Sequence, residues 1–189
     1  MRYDWYPDTQ VSLLVSLCPK VREIEGMVIE IGCWEGKSTI ALANACFPET
    51  LYCNDTWLGN QAESSLTGVL HNTEVILKEY DVFSAFTNNM NTQTKGNYTV
   101  VKKDCMLWLK EIKGPIKLCH VDASHDYDSV KQTLELLRPL MAPNGIICGD
   151  DFINSHAKRV DLKGGVERAV REILPTAVND NNFWWWVNE

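Results

Sequence analysis

Acidic residues that follow two apolar segments are the part of the sequence that points most directly to chemistry. Asp122 follows the apolar segment 117–121, and the pair Asp150-Asp151 follows the segment 146–148. If these segments are neighbouring parallel strands, their ends lie about 5 Å apart and the carboxylates converge. Crowded carboxylates repel one another, and a hard divalent cation, with Mg²⁺ preferred over Mn²⁺ or Ca²⁺, relieves that repulsion. The sequence therefore predicts a metal site formed by Asp122, Asp150 and Asp151.

A glycine-containing turn earlier in the chain is suited to binding an anion. The segment 30–38 (EIGCWEGKS) closes an apolar strand and opens a helix. Its glycines allow close approach of a ligand, and the helix start at Lys37 and Ser38 presents free N–H groups to a carboxylate or a phosphate. Only three residues separate Gly32 from Gly36, one fewer than a P-loop requires, so binding of a nucleoside triphosphate is disfavoured. A tight strand-to-helix turn without a ligand is the alternative interpretation.

The pattern Glu30-x-Gly32-x-x-x-Gly36 resembles motif I of the class I S-adenosylmethionine-dependent methyltransferases. Trp34 stands where that motif usually has its middle glycine. The resemblance implies that this turn binds S-adenosylmethionine. The residues concerned are Glu30, Gly32, Gly36, Lys37 and Ser38.

Acidic residues after the next two strands match further cofactor positions of the same family. Asp55 follows the second strand, where the family binds the ribose hydroxyls, and Asp104-Cys105 follow the third, at the adenine-contacting position. Taken alone, Asp55 is equally explained as a turn residue and Asp104 as a helix N-cap. Asp55 would also suit the ribose of NAD, but the glycine spacing fits an NAD-binding turn poorly. The register of the acidic residues after successive strands favours S-adenosylmethionine.

The segment VDASHDYDSVKQTLELLRPLMAPNGIICGDDF is similar to the metal-dependent O-methyltransferases that act on sugar hydroxyls of macrolides and aminocoumarins. Asp122, Asp150 and Asp151 match the metal ligands of that group, and His125 matches the position of its proposed catalytic base. The resemblance implies metal-assisted methyl transfer to a hydroxyl of a sugar-like, glycan or other small-molecule acceptor, with Asp122 and His125 as the catalytic residues. Catechol O-methyltransferases, which have asparagine at the place of Asp151 and lysine at that of His125, are an alternative. A non-catalytic module that binds S-adenosylmethionine is another.

Short apolar strands that alternate with helices must position these residues. Strands are expected at 27–31, 51–53, 98–101, 117–121 and 146–148, and helices near 11–18, 38–46, 106–112, 129–138 and 165–174. This order predicts an α/β fold, a Rossmann-like doubly wound and mostly parallel sheet with helices on both faces. Segment 176–187 predicts an antiparallel hairpin at the C-terminal edge. We expect one domain, 1–189, in which the connection 56–96, with a helical stripe from Ile76 to Met90, is a lid or substrate-facing element.

Composition narrows the class of partner. The formal net charge is −7 and the basic residues form no run, which disfavours nucleic acid and an anionic membrane surface as partners. Seven cysteines without a CxxC pair predict reduced thiols, and the first residues lack a signal pattern, so a cytoplasmic location is expected. His156 is a further candidate residue, at the mouth of the predicted active site. The sequence is also compatible with a homo-oligomer.

Overall fold

A computed structural model describes residues 1–69, 71–153 and 164–189 of the chain. The strands in these ranges are β1 (Met27–Ile31), β2 (Leu51–Asp55), β3 (Tyr98–Lys102), β4 (Ile116–Val121), β5 (Met141–Gly149), β6 (Val178–Asp180) and β7 (Phe183–Val187). They form one sheet with the order β3-β2-β1-β4-β5-β7-β6. Strands β1 to β5 are parallel, and β7 runs antiparallel to both β5 and β6. The predicted Rossmann-like sheet with an antiparallel C-terminal hairpin is confirmed.

Helices cover both faces of the sheet. The helices are α1 (Asp8–Leu17), α2 (Lys37–Cys46), α3 (Gln61–Thr67), α4 (Asn72–Ile76), α5 (Val82–Gln93), α6 (Cys105–Leu109), α7 (Tyr127–Leu137) and α8 (Gly165–Ile173). On one face α1, α2 and α5 contribute buried side chains such as Leu42 and Phe86, and on the other face α6, α7 and α8 contribute Leu134 and Val170. The two apolar layers bury the central strands on both sides, which explains why most residues of those strands are apolar.

The central strands end side by side, at the point where the chain order of the sheet reverses. Ile31 of β1 pairs with Val121 of β4, and Val121 pairs with Gly149 of β5. Gly32 follows β1 with φ +89°, and a Cβ at this position would lie 1.9 Å from the carbonyl oxygen of Asp122. Only glycine fits there, because the turn after β1 packs directly on the backbone that follows β4. The glycine turn and the first acidic loop are therefore adjacent parts of one surface.

The connection between β2 and β3 differs from the single helical stripe that the sequence predicts. Ile76 ends α4, Tyr80 follows a turn at 77–79, and α5 begins only at Val82. The break arises at Asp81, whose Oδ1 accepts the backbone N–H of Ser84 at 3.0 Å and caps the new helix.

The fifth strand also begins earlier than the sequence predicts. Residues 143–145, which the sequence predicts as a turn, lie inside β5, where the register with β4 shifts and Asn144 adopts φ +60°. The extra residues form a bulge, which a polar Asn-Gly pair accommodates.

Two further findings concern the whole described chain. Within residues 1–69, 71–153 and 164–189, no helix is long and apolar enough to cross a membrane. All seven cysteines are free thiols, and six of them are buried; Cys105 is partly exposed.

Candidate active site

A cavity of about 380 Å³ opens at the carboxyl ends of the parallel strands. Among the residues that the structure describes, every one predicted for the site lines this cavity except Glu30. The glycine turn, the residues after β2 and β3, and the acidic loops after β4 and β5 therefore share one space. Ligands bind at this edge of open α/β sheets, where the strand order reverses. His156 lies outside the described residues.

Asp55 holds the glycine turn in its shape. Its Oδ2 accepts the backbone N–H groups of Cys33 at 2.9 Å and Trp34 at 3.0 Å, and its Oδ1 accepts that of Trp57 at 2.7 Å. Trp34 has φ +48°, a backbone conformation that bulky side chains rarely adopt. A carboxylate offers about four acceptor positions, so three are used here and one is left for a ligand hydroxyl. The turn and ligand-binding interpretations of Asp55 are thus compatible.

Glu30 lies beneath the cavity, contrary to its predicted place among the cofactor contacts. Its fully buried Oε1 lies 2.9 Å from Nδ1 of His120, and Nε2 of His120 lies 3.1 Å from the hydroxyl of Tyr6. Burial lowers the pKa of His120, but the hydrogen bond and charge of Glu30 outweigh it, so that the pKa is raised. Side chains alternate along a strand, so that Glu30 points into the layer under α1. Tyr6, which lines the cavity, is the end of this chain of contacts.

Two other predicted cofactor residues have protein partners as well as a place in the cavity wall. Nζ of Lys37 lies 2.5 Å from Asp4 and 2.8 Å from Asp8, so its charge is paired with the N-terminal segment. Asp104 caps α6, since its Oδ1 accepts the backbone N–H of Leu107 at 3.1 Å. The N-cap interpretation of Asp104 therefore holds for its geometry, and its position in the cavity wall still allows a ligand contact.

The acidic cluster differs in one member from the predicted metal set. Among the described residues, ligand atoms of Asp122, His125 and Asp151 lie within 4.8 Å of one another. Nε2 of His125 lies 2.9 Å from Asp151 and 4.0 Å from Asp122. Asp151 has φ +57°, which turns the chain after β5 so that consecutive aspartates need not point to opposite sides. Asp150 lines the same cavity, and its Oδ1 is buried without a hydrogen-bond partner in the described structure.

The electrostatics of the cluster favour a bound cation. Burial, together with the charges of Asp122 and Asp151, raises the pKa of Asp150 to about 8. Burial also raises the pKa of Asp122 to about 6, against the attraction of His120. Burial lowers the pKa of His125, but its contacts with Asp151 and Glu63 raise it well above its usual value. The carboxyl of Asp150 therefore retains its proton near neutral pH, and a divalent cation that replaces this proton would relieve the repulsion among the carboxylates.

Glu63 of α3 is a member of the cluster that sequence reasoning missed. It is 2% exposed, and its Oε1 accepts the backbone N–H of His125 at 2.8 Å and lies 3.0 Å from the ring Nδ1. Nδ2 of Asn60 donates to the same carboxylate at 2.5 Å. The spacing Asn60-x-x-Glu63 fits a capping box and was the available signal for the start of α3. No local pattern indicates that its glutamate contacts His125.

The N-terminal segment also lines the cavity without having been predicted. Tyr3, Trp5 and Tyr6 face it, and the carboxylate of Glu35 accepts two backbone N–H groups of this segment at 3.0 and 2.6 Å. Trp5 stacks on Trp34 with ring centroids 5.3 Å apart. The three aromatic residues among positions 3–6 were the signal in the sequence that this segment packs against the rest of the protein. The segment therefore covers the glycine turn.

Comparison with known proteins agrees with this architecture. A family model described as a methyltransferase domain matches residues 29–152, more than half of the chain. No curated protein sequence matches the chain. The O-methyltransferase NovP has a similar structure, with 15% identity, a TM-score of 0.70, and coverage of 95% of this chain and 79% of that one.

Two further solved structures show the same similarity in fold. The O-methyltransferase TomG from Streptomyces achromogenes, solved in complex with SAM, has 15% identity and a TM-score of 0.67, covering 97% of this chain and 81% of its own. CalS11, a TDP-rhamnose 3'-O-methyltransferase, has 17% identity and a TM-score of 0.63, covering 95% and 79%. The chain belongs to the methyltransferase-domain family and is an S-adenosylmethionine-dependent methyltransferase of the class I fold.

Proposed function

We propose that the protein transfers the methyl group of S-adenosylmethionine to a hydroxyl of a sugar-like or other small-molecule acceptor, with the help of a divalent cation. The observation that carries this proposal is the grouping of Asp122, His125 and Asp151 in the same cavity as the glycine turn. NovP and TomG, which share the fold, are O-methyltransferases, and CalS11 acts on a sugar nucleotide. These likenesses support transfer to oxygen and a sugar-like acceptor.

The cofactor binds along the edge formed by the glycine turn, Asp55 and the start of α6. S-adenosylmethionine supplies an activated methyl group, and the residues of the chain hold it in line with the acceptor. Asp55 offers its remaining acceptor position to the ribose, and Asp104-Cys105 contact the adenine. The backbone at Gly32 and Gly36 allows the sulfonium end to approach the acidic loops.

The donor set fits a hard divalent cation, with Mg²⁺ as the first choice. Asp122, Asp150 and Asp151 provide oxygen ligands, and the buried, unpartnered Oδ1 of Asp150 is the atom with most need of a cation. When bound, the cation acidifies the acceptor hydroxyl and fixes its direction. A cation that takes Asp151 as a ligand would release Nε2 of His125 from that carboxylate and lower the pKa of the ring, so that His125 would take the proton from the hydroxyl through Nε2.

The connection 56–96 covers this site as a lid. Its residues Asn60, His71 and Thr73 line the cavity. Residues placed over a cavity in this way exclude water from the reaction.

Calorimetry with S-adenosylhomocysteine tests the cofactor assignment, and a transfer assay tests the reaction. We expect transfer of labelled methyl from S-adenosylmethionine to members of a panel of nucleotide sugars, and no transfer in excess EDTA. Transfer to catechols alone would favour the catechol-type alternative. The absence of heat with millimolar S-adenosylhomocysteine, together with heat from ATP or NAD, would overturn the assignment.

Asp55→Asn is expected to weaken S-adenosylhomocysteine binding by roughly 10–100-fold, because an amide cannot replace a carboxylate that accepts three N–H groups. In asparagine an NH2 group replaces one carboxylate oxygen, and it would repel a backbone N–H that this oxygen accepts in the wild type. The glycine turn would then lose its shape. Calorimetry measures the effect. The control is Asp81→Asn, the same substitution at an exposed N-cap where asparagine serves equally well. Equal affinity of Asp55→Asn and the control would contradict a role of Asp55 in the site.

Metal affinity is expected to rise with pH up to about 8. The pKa of Asp150 is raised to about 8, so below that pH the carboxyl is protonated, and a cation must displace a proton to bind. Affinity should therefore fall by up to about tenfold for each pH unit below 8, and level off above it. Titration calorimetry with Mn²⁺ at several pH values, in buffers of different ionisation enthalpy, measures both affinity and proton release. A pH-independent affinity without proton release would contradict Asp150 as a ligand.

A further inference from the structure

His125 is held by a carboxylate from a different part of the chain than the aspartates beside it. Oε1 of Glu63 lies within hydrogen-bond distance of both the backbone nitrogen and the ring Nδ1 of His125, at 2.8 and 3.0 Å. Asn60 donates to Glu63 at 2.5 Å, and the hydroxyl of Ser124 donates to Asn60 Oδ1 at 3.2 Å. The first turn of α3 thus contacts both the backbone and the side chains of the loop after β4.

This contact decides which ring nitrogen faces the aspartates. Glu63 accepts a hydrogen bond from the N–H at Nδ1. The opposite nitrogen, Nε2, then points towards Asp151, at 2.9 Å, and Asp122, at 4.0 Å. A carboxylate that accepts from one nitrogen of an imidazole fixes both the tautomer and the orientation of the ring. Nε2 is therefore the ring nitrogen that would receive an acceptor proton once Asp151 ligates a cation instead of contacting the ring.

The burial of Glu63 makes this arrangement specific. A side chain that is 2% exposed has given up its contact with water, and its compensating partners are His125, Asn60 and, at 3.6 Å, the ring of His71. A buried carboxylate without such partners would be costly. Glu63 therefore has its low-energy position only when α3 lies against the loop that carries His125.

We propose that Glu63 is a positioning residue, which holds His125 with Nε2 directed at the acceptor, so that α3 aligns the base as well as contributing to the wall of the cavity. This inference rests on the proposed role of His125 as the base. It gives the connection a second task besides covering the cavity. The connection completes the site, because without α3 the ring of His125 has no partner on its Nδ1 side among the described residues.

Proton exchange in the ligand-free protein tests the contact without a cofactor, metal or acceptor. With ¹⁵N-labelled histidine, the ring proton on Nδ1 and the backbone amide of His125 should exchange with water roughly 10–100-fold faster in Glu63→Gln than in the wild type. Glu79→Gln is the control, since Glu79 is an exposed glutamate of the same connection. Glu63→Asp keeps the charge but is one methylene too short to reach, and should show the same acceleration if Glu63→Gln fails to fold. Equal exchange in the wild type and the folded Glu63 variant would overturn the inference.

The second readout is a double-mutant cycle in methyl transfer to the best acceptor of the panel. Glu63→Gln should lower kcat by roughly 10–100-fold and leave the KM for S-adenosylmethionine within about twofold. In a His125→Ala background the same substitution should change kcat by less than about twofold, because its effect acts through His125. Equal losses in both backgrounds would overturn the inference. If the wild type methylates no acceptor, the proposed function fails, and proton exchange still decides whether Glu63 holds His125.

Discussion

Asp150→Asn is expected to abolish methyl transfer, by about 10³-fold or more, while leaving the affinity for S-adenosylhomocysteine within about twofold. Asparagine has the shape of aspartate but lacks the charge that a hard cation needs. The carboxyl of Asp150 has a buried oxygen without a partner, and its pKa is raised to about 8 by burial and by its acidic neighbours. Binding of Mn²⁺ should weaken in parallel with the loss of transfer.

The sign of the accompanying stability change separates loss of function from loss of fold. A carboxyl whose pKa is raised in the folded protein lowers stability as the pH rises from about 4 to about 8, since its ionisation is favoured in the unfolded chain. Removal of this carboxyl should therefore leave the metal-free protein at pH 8 with a melting temperature equal to or above that of the wild type. The matched control is Asp128→Asn, an exposed residue of the loop-to-helix segment after β4. Full activity in excess EDTA would refute the metal site, and the aspartates would then be assigned to direct hydrogen bonds with the acceptor.

His125→Ala is expected to lower kcat by roughly 10²–10⁴-fold, the usual contribution of a positioned general base. Its Nε2 is the ring nitrogen that faces the aspartates, and its Nδ1 contacts the carboxylate of Glu63. Affinities for S-adenosylhomocysteine and Mn²⁺ should change by no more than about twofold, since the carboxylates are retained. Added imidazole should restore part of the rate.

The contrast between the two variants assigns the roles. If His125→Ala loses Mn²⁺ affinity as strongly as Asp150→Asn does, His125 is a ligand of the cation and not its neighbouring base, in keeping with the short distances in the cluster. If transfer depends on the metal but is indifferent to the loss of His125, the base is a different group. Either result would also remove the basis for the cycle with Glu63.

The sequence alone was sufficient to predict the fold and to bring most of the candidate site residues to one cavity. Strands buried on both faces are apolar runs, so β1, β4 and β5 could be located from composition and order. Parallel strands in one sheet end at one edge, so residues directly after them had to share a surface. This reasoning placed Asp55, Asp104, Asp122 and Asp150 around one cavity.

The end of a strand does not predict the position of a side chain inside that strand or in a long connection. Glu30 precedes the strand end by one position, so side-chain alternation, and not the motif, decided that it faces His120 in the core. The stripe from Ile76 to Met90 fitted helical periodicity, yet the cap at Asp81 divided it, because a side-chain hydrogen bond can end one helix and start another.

Only the tertiary structure decided how the site is completed. Glu63 and His125 are 62 residues apart, and nothing in the spacing of either segment encodes their contact. The same holds for Tyr6 and His120, which are 114 residues apart, and for the N-terminal segment on the glycine turn. Periodicity reports which face of an element is buried, but the partner on that face is chosen by how whole helices pack on the sheet. The sequence therefore determined the edge of the sheet at which the candidate site residues meet, and the packing of α3 and the N-terminal segment determined which other side chains surround them.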